Sequence, residues 1–290
     1  MGIPGLLKCL RSITKKVHIK EYQGLRVGID IHCWLHRGSY ACGRDLAEGN
    51  ATDKYITFCM DMLLMIKTYG IIPVVIFDGR PLPAKYITNK VRRENREKNK
   101  LLGERALNDG DELLANKMFQ KSINITFAMV YELIKALKKE NIRFIIAPYE
   151  FDAQLAFLCI KKYVDVVITE DSDLIVYGCR RVLFKLDKDG YGEELVRKNL
   201  GANAELSFLH WTDEQFKLFC CLAGCDYLEK LSGVGIKTAY KYVSKYKTLD
   251  SVLAALQHAR LIDNTMEYAI AVSFITLYSN QSVLFESYLT

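Results

Sequence analysis

No CxxC pair occurs among the nine cysteines of this 290-residue chain, and an odd number of thiols cannot all be paired in a disulfide framework. Cys221 and Cys225 are spaced for one helix face but have no second pair to complete a zinc site. The remaining seven, Cys9, Cys33, Cys42, Cys59, Cys159, Cys179 and Cys220, read with them as buried thiols of an intracellular protein. A signal peptide and a membrane-spanning run are also missing. The opening MGIPGLLKCL has no long apolar region, and Leu6 stands where a myristoylated start needs Ser or Thr. The chain therefore reads as soluble. Charge of one sign is not strongly in excess either: 40 basic residues face 34 acidic ones, a net charge of +6. That balance does not by itself mark a nucleic-acid binder, so the distribution of charge carries the information. Low-complexity tracts and internal repeats are absent. Half of the residues are hydrophobic, which excludes a disordered chain and leaves room for one large domain or two modest ones.

What is present is an alternation. Short, apolar, largely β-branched runs at 25–30 (LRVGID), 71–77 (IIPVVIF), 143–147 (RFIIA), 164–169 (VDVVIT) and 181–186 (RVLFKL) have the make-up of buried parallel strands. Helical periodicity fills the intervals, most clearly over 125–140. The pattern predicts an α/β fold with a central, mostly parallel sheet flanked by helices. Two regions depart from it. A long polar insert occupies about 82–122, and a wholly helical region begins near 207, so we expect a core over 1–206 and a helical region over 207–290. Within the latter, LSGVGIKTAYKY (231–242) places Gly233 and Gly235 where a helix opens. Free backbone N–H groups at such a start suit an anion.

Acidic residues collect at the ends of the candidate strands. Asp30 ends VGID, Asp78 follows VVIF, Glu150 and Asp152 stand in APYEFDAQ, and Asp171 and Asp173 in ITEDSDL; Asp226 precedes the Gly-rich turn. Parallel strands point their C-terminal ends to one edge, where open α/β sheets hold ligands. Any one of these acids alone reads equally well as a helix cap or a loop residue. As a set at one edge they repel, and divalent metal with a preference for oxygen ligands is the simple relief. Asp171 and Asp173, two apart, face one side if the chain there is extended. Glu170 has the opposite phase. Glu150 and Asp152 open a helical stretch, where acids suit the positive helix end. Two metal ions close together supply the activated water and the leaving-group stabilisation that phosphodiester hydrolysis needs.

The insert fits a polyanionic substrate. Its first half carries Lys85, Lys90, Arg92, Arg93, Arg96, Lys98 and Lys100 against Glu94 and Glu97. Lys85, Arg92 and Arg96 fall on one helix face; they serve either transition-state charge or the phosphate backbone. His32 and His36, four apart, would need a third N or S ligand to hold zinc, so contact with a nucleobase or phosphate is preferred, with an ordinary structural role as the alternative. Trp34 between them reads as core.

The segments MGIPGLL, VGIDIHCWLHRG, FDGRPLPAK, KSINIT, APYEFDAQLAFL, ITEDSDL and GCDYLEKLSGVGIKTA, in this order over nearly the whole chain, closely resemble the flap endonuclease/XPG structure-specific nuclease superfamily. CWLHRG, KSINIT and the Glu-x-Asp spacing at 150–152 are similar to its exonuclease 1 branch. The resemblance implies a PIN-like or resolvase-like nuclease core, with the insert as a helical arch and a helix-two-turn-helix at about 220–246. It places Asp30, Asp78, Glu150, Asp152, Asp171, Asp173 and Asp226 on the ligand positions for two Mg²⁺ ions, with Mn²⁺ as a substitute. It gives Lys85 and Arg92, with Asp173, to catalysis. Gly2, His32, His36, Arg93, Arg96, Gly233, Gly235 and Lys237 go to DNA contacts, with K⁺ at the helix-two-turn-helix. The implied activity is 5′→3′ removal of nucleotides from duplex ends, nicks and gaps, together with 5′-flap cleavage, in nuclear DNA repair by a monomer with no membrane partner. Relatives meet mismatch-repair proteins through a long tail that these 290 residues do not include. Phe151 departs from the family's Glu-Ala-Asp, which has a small residue at that place. A replication-type flap endonuclease and a non-catalytic junction binder are the alternatives. An Asp-nucleophile phosphatase is excluded, because Ile31 and His32 follow Asp30 where a DxD motif is required.

Overall fold

Among the described residues seven strands form: β1 (Thr14–His18), β2 (Arg26–Asp30), β3 (Ile72–Phe77), β4 (Arg143–Ile146), β5 (Val166–Ile168), β6 (Arg181–Phe184) and β7 (Tyr191–Val196). They are seen in a computed structural model that describes residues 2–227, 231–262 and 265–280. Their order in the sheet is β1-β7-β6-β5-β2-β3-β4. β3 runs parallel to β4, with Val75 opposite Phe144, and β5 runs parallel to β6, with Val167 opposite Val182. The five apolar runs read as strands are β2 to β6. β1 and β7 were not anticipated: β1 pairs antiparallel with β7, and β7 antiparallel with β6. Neither has an apolar run. In β1 only Val17 is buried, and in β7 Glu193 and Glu194 stand side by side, Glu194 buried and paired with Arg181. β1 is an edge strand, and its exposed Lys15 and Lys16 keep that edge from pairing with another chain.

The helices among the described residues are α1 (Leu6–Cys9), α2 (Ile31–Ser39), α3 (Gly43–Glu48), α4 (Lys54–Thr68), α5 (Tyr86–Asn108), α6 (Glu112–Ser122), α7 (Phe127–Lys139), α8 (Phe151–Ile160), α9 (Asp173–Val176), α10 (Asp213–Ala223), α11 (Ile236–Tyr246), α12 (Leu249–His258) and α13 (Thr265–Asn280). None is long and apolar enough to cross a membrane. By its contacts the chain gathers into two units, one of residues 1–21, 25–28 and 152–290, the other of 22–24 and 29–151. The division expected at 206/207 is not where contacts thin, because the C-terminal helices share a unit with β5, β6 and β7.

In the 29–151 unit, α2 packs on α4, and α4 on β3 and α7. Trp34, Leu35, Leu63 and Ile66 are fully buried or nearly so. Trp34 is thus core, as its sequence position implied. The insert is a helical hairpin of α5 and α6, closed where Asp111 caps α6 by accepting the Leu114 N–H at 2.9 Å. Buried Ala106, Ala115 and Phe119 join its arms. α7 begins behind Thr126, whose hydroxyl accepts the Met129 N–H. In the other unit, α8 is buried along nearly its whole length. An aromatic cluster holds α11 against α10: Trp211 stacks on Tyr240 with centroids 5.1 Å apart, and Phe208 meets Trp211, Phe216 and Phe219.

Candidate functional site

In the 29–151 unit the acids are held by specific donors. Asp30 ends β2 and caps α2: its carboxylate accepts the N–H groups of His32 (3.1 Å) and Cys33 (3.4 Å), and the Cys33 thiol donates to its Oδ2 at 2.7 Å. The side chain is fully buried, so the cap reading, open from sequence, holds for Asp30 without removing it as a ligand. Asp78 follows β3, and its Oδ1 accepts the Phe151 N–H at 2.8 Å. The turns after β3 and β4 are tied together, because Gly79 donates to Tyr149 O at 2.6 Å and Arg80 to Pro148 O at 3.1 Å. That pairing brings Asp78 and Glu150 to neighbouring strand ends. Sequence reading missed Gly79, and the FDG triplet itself was the signal that could have found it.

Asp78 and Glu150 line a cleft of about 480 Å³, to which α5 contributes Lys90, Arg92, Arg93 and Arg96. Lys85 stands apart from those cations. Its Nζ pairs with Glu150 Oε2 at 2.7 Å, and both side chains are largely buried, at 5% and 17% exposure. A buried pair of this kind holds both partners in place, since losing either leaves a poorly solvated charge.

The two histidines are neutral at pH 7. His32 Nε2 accepts the Asp78 N–H at 3.0 Å, which requires an unprotonated nitrogen. Burial also holds this ring below its usual pKa, outweighing the opposite pull of Asp78. The nucleobase or phosphate contact expected of His32 thus meets a nitrogen already engaged with the backbone. His36 is pushed down to about 4, first by burial and then by His32 and Arg96. A phosphate contact from His36 is therefore not an ion pair; the ring offers a face or a neutral N–H. Because the folded chain resists a proton that the unfolded chain accepts near pH 6.5, this part of the stability is complete above that pH and declines as pH falls towards 4. The effect amounts to up to about 3 kcal/mol. His36→Gln is expected to remove it. Urea unfolding at pH 7, 5.5 and 4.5 should then show a shallower acid slope for the variant than for the parent chain.

In the other unit, Asp152 lies in the first turn of α8, and Asp171 and Asp173 flank Ser172 after β5. Asp152 and Asp171 are buried. The condition under which Asp171 and Asp173 would face one side, extended chain, is not met: Ser172 is helical, and the Asp173 N–H donates back to Asp171 Oδ1 at 2.9 Å as α9 begins. A second bond, Asp171 N–H to Thr169 Oγ1 at 2.9 Å, makes the segment a compact double turn. The N-terminal segment is fastened to it, with Ile3 N–H donating to Ser172 Oγ at 2.8 Å. Gly2 has φ +86, and a Cβ there would lie 2.5 Å from Asp171 Oδ1. Tyr177 donates to or accepts from Tyr227 at 2.6 Å. Burial, then Tyr227, Asp152 and Asp173, raise its phenol well above the usual value, so it stays neutral. Asp226 is half-buried beyond α10. Gly233 lies in the turn before α11, Gly235 is its N-cap, and Lys237 is exposed in its first turn. Residues 228–230 of the expected 220–246 element lie outside the described residues. Among the described residues no three His, Cys, Asp or Glu side chains are grouped so as to hold a metal ion unaided.

The XPG N-terminal domain matches residues 1–99 and the XPG I-region residues 141–226. Exonuclease 1 of Xenopus laevis is 43% identical over 241 residues, which are 83% of this chain and 33% of that protein. The catalytic core of Rad2 in complex with DNA substrate superposes with a TM-score of 0.68 at 20% identity, over 96% of this chain and 80% of that one. GEN1 in complex with product DNA and a Mg²⁺ ion superposes with a TM-score of 0.55 at 20% identity, over 84% and 51%. The chain spans about a third of the length of the first exonuclease 1 relatives, 33% in Xenopus laevis and 35% in Arabidopsis thaliana.

Proposed function

The chain belongs to the XPG nuclease family, and from that premise we propose that it hydrolyses phosphodiester bonds in DNA at 5′ termini. It removes nucleotides 5′→3′ from duplex ends, nicks and gaps and cuts 5′ flaps, as a monomer in nuclear DNA repair. The observation that carries this reading is the cleft of the 29–151 unit, whose lining holds Asp78 and Glu150 together with Lys90, Arg92, Arg93 and Arg96. Acids and cations in one cleft are the combination that a metal-assisted reaction on a phosphodiester requires.

The donor set suits magnesium. Asp30, Asp78 and Glu150 of one unit, and Asp152, Asp171, Asp173 and Asp226 of the other, offer carboxylate oxygens only, the ligands a hard cation takes. Bound Mg²⁺, or Mn²⁺ in its place, supplies an activated water and neutralises charge on the phosphate. The chain's own residues do the rest. Arg92 and its neighbours Arg93 and Arg96 bind the nonbridging oxygens. Lys85 sets the charge at Glu150 through their ion pair. His36 presents a neutral ring to a base. Gly233, Gly235 and Lys237 take the duplex backbone at the start of α11, with K⁺ at that turn, and Gly2 keeps the N-terminal segment against Asp171.

The test is one digestion panel of blunt, nicked, gapped and 5′-flapped duplexes, 5′-labelled, with Mg²⁺ or with EDTA. Mononucleotides from the first three and a short oligonucleotide from the flap, all abolished by EDTA, are the expected products. Binding of the same duplexes without any Mg²⁺-dependent product would instead favour a junction binder.

A further inference from the structure

His32, Asp78 and Phe151 close a ring of three contacts that nothing in the family's ligand pattern foretells. The Asp78 N–H donates to His32 Nε2 across 46 residues of sequence, at 3.0 Å. The Phe151 N–H donates to Asp78 Oδ1 across 73 residues, at 2.8 Å. The His32 and Phe151 rings lie nearly parallel, 14° apart with centroids at 6.4 Å, and the edge of Phe77 closes the imidazole from another side at 6.2 Å. Asp78 is thereby held at both ends, its backbone by His32 and its carboxylate by the Phe151 amide. Its Oδ1 faces that amide, which fixes the rotamer and orients the Oδ2 oxygen.

The two ring partners have different jobs. His32 supplies an acceptor for a backbone N–H at the end of β3, where the next residue in the chain, Gly79, is committed to Tyr149. Phe151 supplies an amide, which any residue has, and a large ring, which the usual small residue at this place lacks. The ring is therefore the counterpart of the imidazole rather than of the acid. We propose that His32 is a positioning residue that sets the metal affinity of Asp78 through the Asp78 N–H···Nε2 bond, with the Phe151 side chain holding the imidazole in the orientation that makes this bond. Partners one shell beyond a metal ligand orient it, and their loss lowers metal affinity by about 10- to 100-fold.

This inference rests on the metal-dependent reading above, and the experiment separates the two. Mn²⁺ binding to the 290-residue chain is measured by calorimetry for the parent, His32→Phe, His32→Gln and Phe151→Ala, each first shown to be folded by its thermal transition. His32→Phe keeps a flat ring but no acceptor, and should bind Mn²⁺ about 10- to 100-fold more weakly than the parent. His32→Gln restores an acceptor oxygen at similar reach and should stay within roughly threefold. Phe151→Ala leaves the amide in place and lets the imidazole turn, so a loss of a few-fold, about threefold to tenfold, is expected. Hydrogen exchange of the Asp78 amide should quicken at least about tenfold in His32→Phe and stay near the parent rate in His32→Gln. Parent-like Mn²⁺ binding by His32→Phe overturns the assignment of His32 while leaving the nuclease reading intact. So does a loss in His32→Gln as large as that in His32→Phe, since packing and not the acceptor would then matter. A parent chain that binds no Mn²⁺ overturns both. Should His32→Phe not fold, Phe151→Ala carries the test alone, and parent-like Mn²⁺ affinity in that variant overturns the proposal.

Discussion

Asp173→Ala is expected to lower the single-turnover rate of DNA cleavage by about 10³-fold or more, which at 1.36 kcal/mol per tenfold is about 4 kcal/mol of transition-state stabilisation. Duplex binding should change little. Asp173 opens α9, and its contribution to the turn is made by its backbone: the N–H that donates to Asp171 Oδ1 at 2.9 Å. Alanine retains that N–H, so the double turn at 169–173 and the anchoring of Ile3 on Ser172 survive the substitution. What is removed is one carboxylate from a set whose only shared chemical property is oxygen donation to a hard cation. Loss of a negative charge near a bound polyanion cannot weaken binding by repulsion, so affinity measured with Ca²⁺ should hold or tighten. A folded Asp173→Ala chain that cleaves a nicked duplex within tenfold of the parent would remove Asp173 from the ligand set. A chain that loses binding and cleavage together would point to a structural role.

How much of this was legible in the sequence depends on the range of the interaction. β2 to β6 were legible because each is a contiguous β-branched run, a property that neighbours in sequence share. β1 and β7 were not, because TKKVH and YGEELV have no apolar run: Lys15 and Lys16 are exposed, Glu194 is buried only through its pairing with Arg181, and both segments are strands through an antiparallel partner. The acids were legible as residues at strand ends. Their fine structure was not: Asp171 and Asp173 belong to a turn closed by an Asp side chain, and their spacing of two does not distinguish such a turn from extended chain. Lys85 was read as a cation for phosphate, and nothing local to it in sequence announces that Glu150 holds its ammonium in a largely buried pair. His32 was assigned to DNA from its spacing with His36, but its partner is a backbone amide brought near by the end of β3. The division of the chain was the least legible of all. Contacts join residues 1–21 to 152–290 and leave 29–151 as a unit, an arrangement that long-range pairing decides and composition does not mark.

Gly79→Ala should cost about 2–4 kcal/mol of stability and lower cleavage at least about 100-fold even where the chain remains folded. A Cβ at Gly79 would overlap the carbonyl oxygen of Ala147 and stand 2.8 Å from that of Pro148. Both are main-chain atoms, so no side chain can swing aside to make room. Relief requires separating the turn after β3 from the turn after β4, against the bonds Gly79 N–H to Tyr149 O and Arg80 N–H to Pro148 O, at 2.6 and 3.1 Å. Overpacking of about 1–3 kcal/mol together with about 1 kcal/mol for a lost backbone bond gives the range. For a chain of this size it corresponds to a fall in Tm of roughly 5–15 °C. The functional effect follows from which residues the two turns carry. Asp78 immediately precedes Gly79 and Glu150 immediately follows Tyr149, so the displacement that admits a methyl group moves both acids of the cleft, and a misplacement of about 1 Å is enough for a 100-fold loss. Gly235 is the control, because a Cβ there meets open space and its φ is −102. Alanine at Gly235 should change stability by less than about 1 kcal/mol. Thermal unfolding of the two variants beside the parent, with single-turnover cleavage at a temperature where all are folded, decides the matter. Gly79→Ala melting with the parent and cleaving at its rate would show that the two turns yield freely, and the close approach of Asp78 and Glu150 would then owe nothing to this glycine.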